Sequence, residues 1–86
     1  MAYALKISKN AAREISKLDN LVKRKIKEAI ETKLLVNPLG NSLKLQDFEV
    51  KGARRLRVGN YRVIFYLDKG IIEILRVGHR REIYKG

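Results

Sequence analysis

Two dipeptides, Gly59-Asn60 and Lys69-Gly70, most constrain what this chain can fold into. They separate the runs ARRLRV, YRVIFYLD and IIEILRV, the last two rich in β-branched and aromatic residues, and each has the length and residue type of a two-residue hairpin turn. The last third is therefore expected to be a three-stranded antiparallel meander. Counting outward from the turns predicts its register. In the first hairpin Val58 faces Tyr61, Arg57 faces Arg62, Leu56 faces Val63, Arg55 faces Ile64 and Arg54 faces Phe65. In the second, Asp68 faces Ile71, Tyr66 faces Glu73, Ile64 faces Leu75 and Arg62 faces Val77. Side chains alternate across a strand, so these pairs sort into two faces. Leu56, Val58, Val63, Phe65, Ile72 and Ile74 form a surface for helices; Arg55, Arg57, Arg62, Ile64, Tyr66, Leu75 and Val77 form the other.

The residues upstream supply those helices. Residues 2–7 alternate, with Tyr3, Leu5 and Ile7 on one side, and read as a short strand. Ser8 or Asn10 can cap a helix whose apolar positions are Ala11, Ala12, Ile15 and Leu18. Asp19 and Asn20 open a second, with Val22, Ile26, Ala29, Ile30 and Leu34 on one face and most of its charges off it. Asn37-Pro38 ends this helix. Residues 38–52 form a connector with too many apolar groups for a free linker, expected to lie against the core edge. The predicted fold is α+β: an N-terminal strand, a two-helix antiparallel hairpin and the meander, with both helices on one face of the sheet.

At 86 residues the chain makes a single domain, 1–86. A domain of that size buries only about 60% of the surface its unfolded chain exposes, so help from a partner is plausible on physical grounds. There is no cysteine and no run of membrane-spanning or signal-peptide length, and the expectation is a soluble cytoplasmic protein. Twenty Lys and Arg against nine Asp and Glu give a net charge of +11, which suits either a solubilising surface or a polyanion partner.

Position decides between them. Arg57 opposite Arg62 is an unfavourable like-charge pair, and three guanidiniums on one patch suggest a phosphate cradle. The alternative is that some point to solvent or pair with Glu73 or Asp68. With one histidine, no cysteine and scattered carboxylates, no metal site and no cofactor is expected. RNA offers a metal-free route, since its own 2′-hydroxyl can attack the adjacent phosphate if it is held in line and the developing charge is stabilised. Arginine suits the second task and is a poor base, so Arg55, Arg62 and Arg80 are assigned to charge stabilisation. His79, the only histidine, reads as a proton carrier or a surface residue. Tyr84 either anchors the tail or stacks on a base. Arg54, Arg57, His79 and Arg81 complete the candidate RNA-binding set.

The run GNYRVIFYLDKGIIEILRVGHRREIY resembles the C-terminal half of the RelE/ParE toxin superfamily, in particular its RelE branch. The resemblance rests on Tyr61-Arg62-Val63, on Val77-Gly78-His79-Arg80 and on a tyrosine shortly after. It implies a type II toxin that cleaves messenger RNA in the ribosomal A site, leaving a cyclic phosphate, with a cognate antitoxin, messenger RNA and ribosomal RNA as partners. It makes Arg62 and Arg80 the phosphate and leaving-group residues and Tyr84 the residue that orients the substrate. Two lysines of the family, one proposed as general base, correspond to Ala53 and Arg55, so Arg55 joins the catalytic candidates without being a base. Two other readings stand beside this one: a ParE-like gyrase poison, and a non-catalytic basic RNA-binding domain.

Overall fold

The computed structural model of the chain describes residues 3–46 and 48–80. The elements follow the predicted order. Strand β1 is Ala4–Ile7; helix α1, Lys9–Ser16, starts at Ser8, whose Oγ accepts from the Ala11 N–H at 3.1 Å. Helix α2, Asn20–Ala29, starts at Asp19, whose carboxylate accepts from the Val22 N–H at 3.0 Å. Both caps satisfy amide donors that the first helical turn cannot pair internally. One turn of π-helix, Ile30–Leu34, extends α2, closed by the Leu35 N–H on the Ile30 carbonyl at 2.9 Å.

Strands β3 (Arg54–Val58), β4 (Tyr61–Asp68) and β5 (Ile71–His79) form the meander. Among the described residues, with Leu43–Lys44 as β2, the sheet has five strands in the order β1-β5-β4-β3-β2, and β1 runs parallel to β5. The fifth, β2, is only Leu43–Lys44, inside the connector, and pairs with Arg55 and Arg54. Two residues show no periodicity, which is why the sequence reading has four strands.

Helix residues Ala11, Ile26, Ala29, Ile30 and Leu34 pack on Leu56, Val63, Phe65, Ile72, Ile74 and Val77 in the main core. Each large apolar side chain fully buried there contributes about 1.5–3 kcal/mol. Ala12, expected among the helical core positions, is exposed, and Leu5 and Ile7 lie exposed on the edge strand.

Every predicted pair of the first hairpin is present. The second departs halfway. Asp68 faces Ile71, Tyr66 faces Glu73 and Phe65 faces Ile74, but Ile64 faces Arg76 and Arg62 faces Gly78. Leu75 is an extra residue in β5, a β-bulge, so the predicted pairs Ile64–Leu75 and Arg62–Val77 do not form. The bulge fits the burial of the strand's apolar residues. Ile72, Ile74 and Val77 all belong to the helix-side core, and strict alternation from Ile74 would put Val77 on the wrong face. Inserting Leu75 turns Val77 inward, where it is 1% exposed and faces Val63.

The arginine-bearing face is also not left open, as two helices alone would leave it. The connector crosses it. Leu45, Phe48 and Leu75 pack on Ala53 and Ile64, which are both fully buried, and the Leu45 N–H donates to the Ala53 carbonyl at 2.9 Å. Among the described residues, no helix is long and apolar enough to cross a membrane.

Candidate functional site

The site is built around the Gly59-Asn60 turn. Gly59 takes a positive φ of 59°, which an L side chain adopts only at a cost, and the two-residue loop aligns Arg57 with Arg62 across the strands. Gly78 follows Arg62 in the same row on β5. The like-charge conflict between the two arginines is relieved by divergence. Arg57 is exposed, whereas Arg62 is 5% exposed and folds back on its own turn. One terminal nitrogen of Arg62 donates to the carbonyls of Tyr61 at 3.0 Å and Gly59 at 3.3 Å. Its Nε is buried without a hydrogen-bond partner, and among the described residues no carboxylate pairs with it. A buried guanidinium so incompletely satisfied is unfavourable by several kcal/mol relative to water, roughly, unless something else offsets it.

The other candidates are distributed around this row. Arg55 is half-buried and, with Arg57, lines a groove of about 280 Å³ against residues 40–43. Arg80 is exposed and lies one residue past β5, its N–H donating to the Asn60 carbonyl at 2.9 Å, two residues beyond Gly78. The bulge decides this placement, because without it Gly78 and the position of Arg80 would alternate to the helix side. His79 goes the other way. It faces Tyr61 across the strands, ring centroids 5.5 Å apart and edge-on, beside Leu18 and Lys17 on the helix side. The structure does not bring His79 together with Arg62.

Arg54 is occupied elsewhere. Its Nε donates to Ser42 Oγ at 2.7 Å and a terminal nitrogen to the Ser42 carbonyl at 3.0 Å, holding the start of the connector from the face opposite Arg55 and Arg57. Ala53, one of the two positions where the family resemblance expects lysine, is fully buried beneath Leu45 and Phe48 and exposes no chemistry. Tyr84 and Arg81 lie outside the described residues.

Sequence reasoning missed Gly78 as the neighbour of Arg62, and it missed Glu14. Glu14 accepts from the Val77 N–H at 2.9 Å and pairs with Arg76 at 2.8 Å. The hydrogen bond to Glu14 raises the Arg76 pKa above its already high ordinary value, against a smaller opposing effect of burial. The sequence carried no local sign of either, since Ile72 and Ile74 alternate regularly with Leu75 and Val77 and the insertion meets its partners only in α1.

The fold and the charge together define a small basic α+β domain with arginines grouped at one end of its sheet. Comparison with known proteins narrows the class. The family model described as ParE toxin of type II toxin-antitoxin system, parDE, matches residues 3–84. Among solved structures, the toxin-antitoxin complex RelBE2 from Mycobacterium tuberculosis aligns with a TM-score of 0.83 at 28% identity, covering 93% of this chain and 100% of that one. The archaeal RelE-RelB complex from Pyrococcus horikoshii gives 0.76 at 26%, covering 95% and 99%. A free double-arginine variant of the E. coli toxin RelE gives 0.71 at 25%, covering 92% and 84%. No curated protein sequence matches the chain. The chain belongs to the RelE/ParE superfamily of type II toxins, in its RelE-like branch.

Proposed function

We propose that this toxin is a ribosome-dependent, metal-independent endonuclease of messenger RNA, held inactive by a cognate antitoxin. The observation that carries the reading is Arg62: buried, without a carboxylate partner among the described residues, its Nε unsatisfied, beside a residue with no side chain. A phosphate seated against Gly78 would supply the missing charge and acceptors. Burial lowers the local dielectric, so the same guanidinium that destabilises the empty fold stabilises an anion strongly.

In the proposed reaction the substrate's 2′-oxygen attacks the adjacent phosphorus and the P–O5′ bond breaks, giving a 2′,3′-cyclic phosphate and a 5′-hydroxyl end. Charge builds on the non-bridging oxygens, where Arg62 and exposed Arg57 offset it, while Arg80 stabilises the leaving oxygen. Arg55 holds the flanking backbone in the groove beside residues 40–43, and Tyr84 orients the base. The proton of the 2′-hydroxyl passes to solvent water and the leaving O5′ takes one from water, since a guanidinium is a poor base and serves here only to offset charge. The antitoxin partner is supported by the complexes that the RelBE2 and P. horikoshii relatives form.

Mapping messenger RNA 5′ ends after induction in cells tests the reading. Cuts at codon positions in translated messages, lost in Arg62→Ala and Tyr84→Ala, are expected. Growth arrest with intact messages and DNA damage would overturn it in favour of gyrase poisoning, a second reading that the parDE description of the matching family model favours.

A further inference from the structure

The bulge that places Gly78 beside Arg62 is held from outside the meander. Strand β1 accompanies β5 only as far as Ile7 opposite Ile74, so beyond that point the outer edge of β5 has no strand neighbour. Ser8 and Glu14 take over there. The Ser8 N–H donates to the Ile74 carbonyl at 3.0 Å, and Ser8 Oγ donates to the Leu75 carbonyl at 3.1 Å. Glu14 accepts from the Val77 N–H through one oxygen at 2.9 Å and from two nitrogens of Arg76 through the other, at 2.8 and 3.2 Å. An inserted residue leaves backbone groups out of the ladder, and those groups need partners wherever water is restricted. Here the first turns of α1 provide them.

We infer that Ser8 and Glu14 clamp the inserted residue at Leu75, and that Glu14 is thereby a positioning residue for the Arg62 site, which it does not touch. Released from the clamp, β5 can pair onward from its turn without interruption. Val77 would then stand opposite Arg62, a branched apolar side chain would fill the space beside the guanidinium, and Gly78 and the position of Arg80 would alternate to the helix side. The clamp acts on the site by choosing which residue is its neighbour. Its consequence for RNA rests on the function proposed above; the register itself does not.

The competing account is that burial of Val77 fixes the bulge unaided. Cross-strand contacts at Arg62, read by NMR in the full-length chain, separate the two. Glu14→Ala is expected to lose the Arg62–Gly78 contact, with affinity for a short single-stranded RNA lowered about tenfold. Glu14→Gln, whose amide oxygen still accepts from the Val77 N–H, is expected to keep both, as is Arg76→Met, which removes only the ion pair. Asp19→Ala, which loses the α2 cap, controls for general destabilisation. An intact Arg62–Gly78 contact in Glu14→Ala, or an equal loss of RNA affinity in Asp19→Ala, would overturn the inference. If Glu14→Ala does not fold, Ser8→Ala replaces it: it removes the Leu75 bond together with the α1 cap, and Asp19→Ala, which removes the α2 cap alone, accounts for the loss of a cap. A wild-type protein that neither binds nor cuts RNA would sink the proposed function, while the register measurement would still decide the clamp.

Discussion

Arg62 is 5% exposed, with two carbonyl acceptors and an unsatisfied Nε. Replacing buried charges with apolar groups of similar volume is often neutral or stabilising, because the desolvation penalty disappears with the charge. Arg62→Leu is therefore expected to unfold with unchanged free energy, or with about 1 kcal/mol more, while losing the proposed RNA cleavage. Chemical denaturation of the variant beside wild type checks this. A loss of about 3 kcal/mol or more would mean that Arg62 holds the turn together and that its burial is structural. Lys69 presents the opposite case. It sits at φ 50°, followed by Gly70 at φ 79°, the pattern of a turn that favours Asn-Gly. Lys69→Asn is expected to raise stability by about 0.5–1 kcal/mol, a shift visible in the thermal midpoint, because asparagine tolerates the left-handed region better than lysine does.

Among the elements, the connector does more than link. Phe48 is half-buried over Ala53 and Ile64, and with Leu45 it forms a second, small core on the face that also bears Arg55 and Arg62. Phe48→Ala is expected to cost about 2–3 kcal/mol and to expose Ile64, with hydrogen exchange accelerated in β4 and less changed in α2. Protection lost equally in both elements would show that the two cores unfold as one. The sequence declared the helices, a first cap at Ser8 or Asn10, a second start at Asp19-Asn20 and the first hairpin because each has a local cause: a capping side chain just ahead of a helical apolar pattern, or a Gly-Asn pair between strand-like runs. It did not declare β2, the cover over Ile64 or the bulge, because each depends on contacts between distant segments. Leu43 needs Arg55 to become a strand, and the insertion at Leu75 needs Ser8 and Glu14, 67 and 63 residues away from the carbonyl and amide they bind. The row of Arg57 and Arg62 was legible for the same local reason as their turn. Its extension to Gly78 was not, since one inserted residue reverses every side beyond it.

For the whole molecule, a net charge of +11 on 86 residues favours polyanions in general but says little about which residues would meet one. The structure separates exposed arginines from occupied ones. Arg57 is exposed at the site, whereas Arg54 has its donors on Ser42. Each phosphate neutralised on a single strand adds about 0.7 to the slope of log affinity against log salt. Engagement of Arg55, Arg57, Arg62 and Arg80 with three or four phosphates thus predicts a slope of about −2 to −3 for a short single-stranded RNA. Arg57→Ala should flatten it by about 0.7, the loss of one phosphate contact. Arg54→Ala should leave the slope unchanged while lowering stability through release of the connector. Titrations at several salt concentrations distinguish the two variants, although they remove the same formal charge. Equal flattening by both would show that affinity follows net charge wherever it lies, and the arginine row would then be no more a site than the rest of the basic surface.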